Sequence, residues 1–215
     1  MGNMHKYLQS CKTEFWKKVF QAELNYILLE LKETKKVLSV GCGPAIIEAG
    51  LAENGFNVTG LDISKEALAR APDRIRTVAG SAENMNFADS YFDAAIYVAS
   101  IQFIDDYKEA IRQTARVLRA GGRLLVMMLN PSSEFYKEKA RNTTSYIYNI
   151  RHTGLKDIEK TIAEYFSLQT EYFLGIKGVE IFQTRDPRLA SLYVIKGKKK
   201  EQMPKENEVE RNSCN

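Results

Sequence analysis

The chain reads as one α/β domain: a doubly wound, mostly parallel seven-stranded sheet, helices on both faces, and an antiparallel edge hairpin. Three observations predict this. Short apolar runs alternate with amphipathic segments along most of the 215 residues, the pattern of parallel strands joined by helical crossovers. The first run, Val37 to Val40, ends in two glycines one residue apart, Gly41 and Gly43. A second run closes on Asp62, about 20 residues further on, the interval at which a strand–turn–helix–strand unit sets an acid against a bound ribose.

The elements follow in order. Phe15, Trp16, Val19, Phe20, Leu24, Ile27, Leu28 and Leu31 recur at helical spacing, with Thr13 as a cap. After the strand at Val37, Pro44 suits the first turn of a helix carrying Ile46, Ile47 and Leu51, which stops near Asn54-Gly55. Phe56 to Leu61 is the second strand, Ser64 caps a helix to Arg70, and Ile75 to Ala79 is the third strand. Phe92 to Val98 is the fourth strand and Ala110 to Leu118 a helix stopped by Gly121-Gly122. Arg123 to Leu129 is the fifth. Asn130-Pro131 opens a polar insertion, Leu155 to Phe166 is helical, and Tyr172 to Ile176 and Leu192 to Ile195 close the sheet as the edge hairpin.

Composition narrows the class. With 44% hydrophobic and 27% charged residues the chain is of ordinary globular make-up. No apolar run is long enough to cross a bilayer and the start lacks a signal-peptide core, so the expectation is a soluble cytoplasmic protein without a membrane partner. Cys11, Cys42 and Cys214 are scattered and odd in number, which fits neither a disulfide framework nor a metal site. The net charge of +4 sits largely in the lysines from Lys196 to Lys200 and the polar segment after them. They read as a solvated end, which weighs against a nucleic-acid partner.

The turn itself argues against a dinucleotide. That fingerprint wants a third glycine where Ile46 stands; the pattern G-x-G-x-G fits better, with Ala45 in third place. Here the chain resembles the class I S-adenosylmethionine-dependent methyltransferases, in the small-molecule branch of the ubiquinone/menaquinone type, and its Gly-Cys-Gly-Pro-Ala-Ile-Ile-Glu wording is similar to a set of archaeal and clostridial methyltransferase-like proteins. The resemblance implies a Rossmann-like sheet with its last strand inserted antiparallel. It also implies a transferase that binds S-adenosylmethionine and releases S-adenosylhomocysteine. Its cofactor residues, carried over by motif, are Gly41, Cys42 and Gly43 at the turn, Asp62 on the ribose and Ile63 against adenine. Ser81, Ala82 and Glu83 belong to the loop bordering adenine, and Val98 lies beside the methionine part.

This chain departs from the family pattern at two acids. Ser39 replaces the one before the glycine turn and Ser81 the one facing adenine; either affinity for the cofactor is reduced, or Glu48, Glu23 or a lid residue such as Tyr7 or Trp16 compensates. Gln102 and Phe103 stand where the family often has histidines, leaving Gln102 and His152 as candidates near the acceptor. Without a histidine base, the expected acceptor arrives already ionised, as a thiolate does. The expected division is a helical lid at 1–34, a methyltransferase domain at 35–197 with an insertion at 131–154 over the acceptor, and a disordered basic tail at 198–215. Methyl transfer to a small molecule is the preferred function. The alternatives are a non-catalytic cofactor-binding or regulatory protein on the same fold, and a protein or RNA methyltransferase.

Overall fold

The computed structural model describes residues 11, 13–142 and 145–201. The first helix, α1 (Glu14–Glu30), starts where Thr13 Oγ1 accepts from the Trp16 amide. There follow β1 (Lys36–Val40), α2 (Ile46–Glu53), β2 (Asn57–Asp62), α3 (Lys65–Leu68), β3 (Arg76–Ala79) and β4 (Phe92–Val98). The second half holds α4 (Tyr107–Val117), β5 (Leu118–Leu129), α5 (Glu134–Ala140), α6 (Leu155–Tyr165), β6 (Phe166–Lys177), β7 (Glu180–Phe182) and β8 (Ala190–Lys199). Short 3₁₀ turns lie at Ile101–Phe103 and Tyr146–Asn149.

Among the described residues the sheet has eight strands in the order β3-β2-β1-β4-β5-β8-β6-β7. β1 to β5 run parallel, and β8 threads antiparallel between β5 and β6. Alternation along β1 sends Leu38 and Val40 to one face and Val37 to the other. The first face packs Ile111 and Ala115 of α4 and Ile158 and Ile162 of α6. The second packs Val19 and Ile27 of α1, Ile47 and Leu51 of α2, and Phe135 of α5. Strand order turns back at β1/β4, so the carboxyl ends of these two strands open a crevice, the usual ligand position in such sheets.

Several expectations change. The eighth strand is β7, three residues inside the connection before β8. Gly121-Gly122 does not stop the helix, which ends at Val117; the glycines lie within β5, where pairing jumps from Phe92↔Leu118 to Ala94↔Arg123 and Gly121 takes φ +67°. Pro44 precedes the helix, which begins at Ile46 behind a left-handed Ala45. The insertion contains α5, and α1 packs one face into the core, with Ile27 fully buried. β8 runs through Lys199, past the expected boundary at 197, and Lys199 Nζ donates to the Leu118 carbonyl at 2.6 Å. His5, Tyr7, Cys214 and the tail from 202 lie outside the described residues.

Candidate functional site

The crevice is shaped by the turn after β1, where left-handed residues alternate: Gly41 at φ +73°, Gly43 at +54° and Ala45 at +58°. Gly41 has no room for a side chain. A Cβ there would lie 2.5 Å from Cβ of Ser100, and Ser100 is locked by its Oγ donating to the Val40 carbonyl at 2.6 Å. Gly43 faces open space. Gly60 on the neighbouring strand makes room for Cys42, whose sulfur would sit 2.6 Å from an added Cβ. Burial, then Glu48 and Asp62, push the Cys42 thiol well above its ordinary range, so it stays protonated and serves as a packed wall. Ala45 is fully buried; its small size serves the left-handed backbone rather than the approach of a ligand.

Asp62 ends β2 and spans the turn. Its Oδ2 accepts from the Gly43 amide and its Oδ1 from the Ser64 amide, both at 2.8 Å. Ser64 caps α3 on its own, accepting from the Ala67 amide. A carboxylate has about four acceptor directions, so the two bonds that orient Asp62 leave capacity for a vicinal diol. Ile63 beside it is 79% exposed, an apolar surface at the rim. Beyond β3, Ser81 Oγ accepts from the Glu83 amide at 3.1 Å and donates to the Glu83 carboxylate. That carboxylate accepts from the Asp106 amide at 2.8 Å. Arg116 fixes the rest of this loop through the Met85 and Phe87 carbonyls and Asp89.

Two cavities of about 380 Å³ each open on opposite sides of the turn. One is lined by Asp62, Ile63, Ser81, Ala82 and Glu83. The other is lined by Cys42, Gly43, Val98 and Glu48, and reaches Trp16, Glu23 and Tyr146. Gly41, Ala99 and Phe103 line both, forming a neck between them.

The family model for a methyltransferase domain matches residues 38–126, which hold the turn, Asp62 and the β3 loop. Over these residues the chain is similar to methyltransferase domains. It is 35% identical over 99 residues to a demethylmenaquinone methyltransferase of Corynebacterium glutamicum, 46% of this chain and 43% of that one. It is 30% identical over 119 residues to a sterol 4-C-methyltransferase of Caenorhabditis elegans, 51% of this chain and 36% of that one. The chain thus spans less than half the length of these curated relatives. A solved S-adenosylmethionine-dependent methyltransferase of Thermotoga maritima, described as a possible histamine N-methyltransferase, superposes with a TM-score of 0.77 at 22% identity. The superposition covers 91% of this chain and 95% of that one.

The crevice fits S-adenosylmethionine on its own geometry. The adenosine side offers a positioned diol acceptor and an apolar rim; the turn offers a close approach at Gly43. On the methionine side, Ser39 Oγ donates to Glu48 at 2.5 Å, and both are buried. Burial pushes the Glu48 carboxyl up to about 7, against the lowering effect of Ser39. Glu48 thus sets a buried carboxyl, from α2, directly beside Ser39.

Gln102 and His152, the sequence candidates for chemistry, are held in hydrogen bonds to backbone carbonyls. Gln102 is fully buried and lines neither cavity: Nε2 donates to the Leu129 and His152 carbonyls, and Oε1 accepts from the Leu129 amide at 2.7 Å. His152 Nε2 donates to the Ile104 carbonyl at 2.9 Å, and its ring packs edge-on to Tyr107. Sequence reasoning named Glu23 only as a compensating charge. It is 6% exposed, and burial pushes its carboxyl up to about 8. Its position on the apolar stripe of α1, between Phe20 and Ile27, was the available signal.

Proposed function

We propose that this protein transfers a methyl group from S-adenosylmethionine to a small-molecule acceptor. The observation that carries this is the pair of cavities joined at Gly41, Ala99 and Phe103, with Asp62 oriented on one side only. Bound across the neck, S-adenosylmethionine would supply a methyl group activated by its sulfonium. Asp62 accepts from the ribose hydroxyls, with charge-assisted bonds of the stronger kind, and Gly43 admits the chain of the donor past the turn. Glu48, held by Ser39, faces the amino-acid end. The aromatic wall of the second cavity keeps water away and lets proximity do most of the work.

The curated relatives act on a quinone precursor and a sterol by their printed names, which supports a small organic acceptor. The reading as a cofactor-binding protein without transfer drew on the two serines; Glu48 behind Ser39 removes half of its motive. The protein or RNA reading drew on basic residues of which Lys196, Lys199 and Lys200 are engaged with Glu171 and with the carbonyls of Leu118 and Ala163.

Calorimetric titration with S-adenosylmethionine and S-adenosylhomocysteine tests the proposal. Both are expected to bind, and Asp62→Ala to weaken them by about 10- to 100-fold, roughly 1.4 to 2.8 kcal/mol, with thermal unfolding run alongside to verify the fold. Undiminished binding by a folded Asp62→Ala protein would sink the assignment.

A further inference from the structure

The second cavity holds two polar groups that the donor does not use. Glu23 reaches it from α1, 94% buried by its 6% exposure, with no hydrogen-bond or ion-pair partner among the described residues. Ser191, from the start of β8, has a fully enclosed Oγ that also lacks a partner among them. Buried polar groups in native proteins are almost always satisfied, and an enclosed hydroxyl without a partner on the same cavity as a buried carboxyl points to a ligand that completes the site. Leu174, which lines the same cavity, takes φ +62° where the β6–β8 pairing is interrupted opposite Ser191. Non-glycine residues in that conformation cluster at binding sites.

The surroundings define the ligand's charge. Among the described residues no lysine, arginine or histidine lines the cavity, while Glu23 and Glu48 both do. Among those residues an anionic acceptor would meet two acids and no counter-charge. Aromatic rings face the space: Trp16 stacks on Phe20 and meets Phe135 and Tyr146 edge-on, and Tyr146 stacks on Phe103. Ring faces attract an organic cation, more strongly when it is desolvated.

We propose that Glu23 and Ser191 bind the polar head of the acceptor, and that this head is a protonated amine on a compact apolar body seated among Trp16, Phe135 and Tyr146. The inference rests on the proposed methyl transfer and names its acceptor class; it replaces the expectation of a pre-ionised acceptor such as a thiolate. An ammonium has no free pair, so it must shed a proton first. Binding the ammonium makes Glu23 release its own proton to solvent, and the carboxylate so formed then takes one from nitrogen. The nitrogen–carbon bond then forms as the donor's carbon–sulfur bond breaks, and the bonding pair stays on sulfur. Among the described residues, the titratable groups that line the cavity with Glu23 are Tyr146, Glu48 and Cys42; burial holds Tyr146 protonated, helped by Glu23 itself.

The test uses three probes of one shape: 2-phenylethylamine, 2-phenylethanol and phenylacetate. Each is titrated calorimetrically into the full chain, with and without saturating S-adenosylhomocysteine, in buffers of different ionisation enthalpy. The amine is expected to bind at least about tenfold more tightly than the alcohol, phenylacetate not at all, and amine binding to release a proton near neutral pH. Glu23→Gln is expected to weaken the amine by about tenfold or more and to abolish proton release, leaving S-adenosylhomocysteine affinity within about twofold. Ser191→Ala gives a smaller loss, on the order of threefold. Equal affinity for the alcohol or phenylacetate, no amine binding at millimolar concentration, or an amine affinity indifferent to Glu23→Gln would each overturn the proposal. Failure of S-adenosylhomocysteine alone to bind, with the amine results intact, overturns the donor assignment and not the amine site.

Discussion

Gly41 and Gly43 share a left-handed backbone, yet a methyl group has different consequences at each. At position 41 it adds backbone strain to a collision with a serine that cannot retreat, because its hydroxyl holds the Val40 carbonyl. Gly41→Ala is expected to destabilise by about 2–4 kcal/mol, and Ser100→Gly in the same chain to recover part of that loss. Gly43→Ala meets nothing, so only the strain of about 1–2 kcal/mol applies. Urea unfolding of the four proteins checks both; equal losses at the two glycines would refute the role given to Ser100. The turn and Asp62 were legible in the sequence because backbone sterics and a fixed interval dictate them locally. Glu23 was less so: a charged residue on an apolar helical stripe announces itself, but what buries it is a 3₁₀ turn more than a hundred residues away. Ser191 gave no signal, since its lack of a partner follows from a pairing break on another strand.

Among elements, the segment after β5 shows where pattern reading ran out. Read as a polar insertion, it contains α5 and a 3₁₀ turn that bring Phe135 and Tyr146 over the crevice. Its helix is short, seven residues, and depends on the local cap in which Ser133 accepts from the Tyr136 amide and on the burial of Phe135, which is tertiary in origin. Gly121-Gly122 misled in the other direction, because a diglycine suits a widened strand as well as a helix stop. The return of this segment is pinned by Gln102, whose side chain joins Leu129 to His152 and whose carbonyl accepts from the Arg151 and His152 amides. Gln102→Leu leaves the Leu129 amide and carbonyl without these bonds and is expected to cost about 2–4 kcal/mol of stability. S-adenosylhomocysteine affinity of the folded protein should stay within about twofold. Chemical denaturation and titration together decide this; a loss of affinity without a loss of stability would return Gln102 to the binding site.

For the molecule as a whole, the two buried acids set the response to pH. Glu23 and Glu48 have carboxyls pushed up to about 8 and about 7 by burial. The folded state therefore keeps their protons at pH values where the unfolded chain has released them. Their contribution is intact below about pH 4.5 and declines as pH rises through 7 and 8, on the order of 1 kcal/mol per pH unit for each ionising group. The melting temperature should fall between pH 6 and 9, and Glu23→Gln should flatten the fall. A profile unaffected by that change would show that Glu23 is solvated in solution. Asp93, Glu109 and Glu171, held below their usual range by amide and cationic neighbours, act in the acid limb instead.

The path of β8 carries a consequence for how the crevice comes into being. β5 and β6 touch only through this strand, and one wall of the second cavity, Ser191 and Leu192, stands on it. A growing chain that has reached only residue 189 can already fold its turn, Asp62 and the β3 loop, because the five parallel strands pair without β8. The nucleoside end is thus a product of early synthesis. The opposite chamber stays roofless, with two open sheet margins exposed to mispairing, until the C-terminal segment slots between them and seals it.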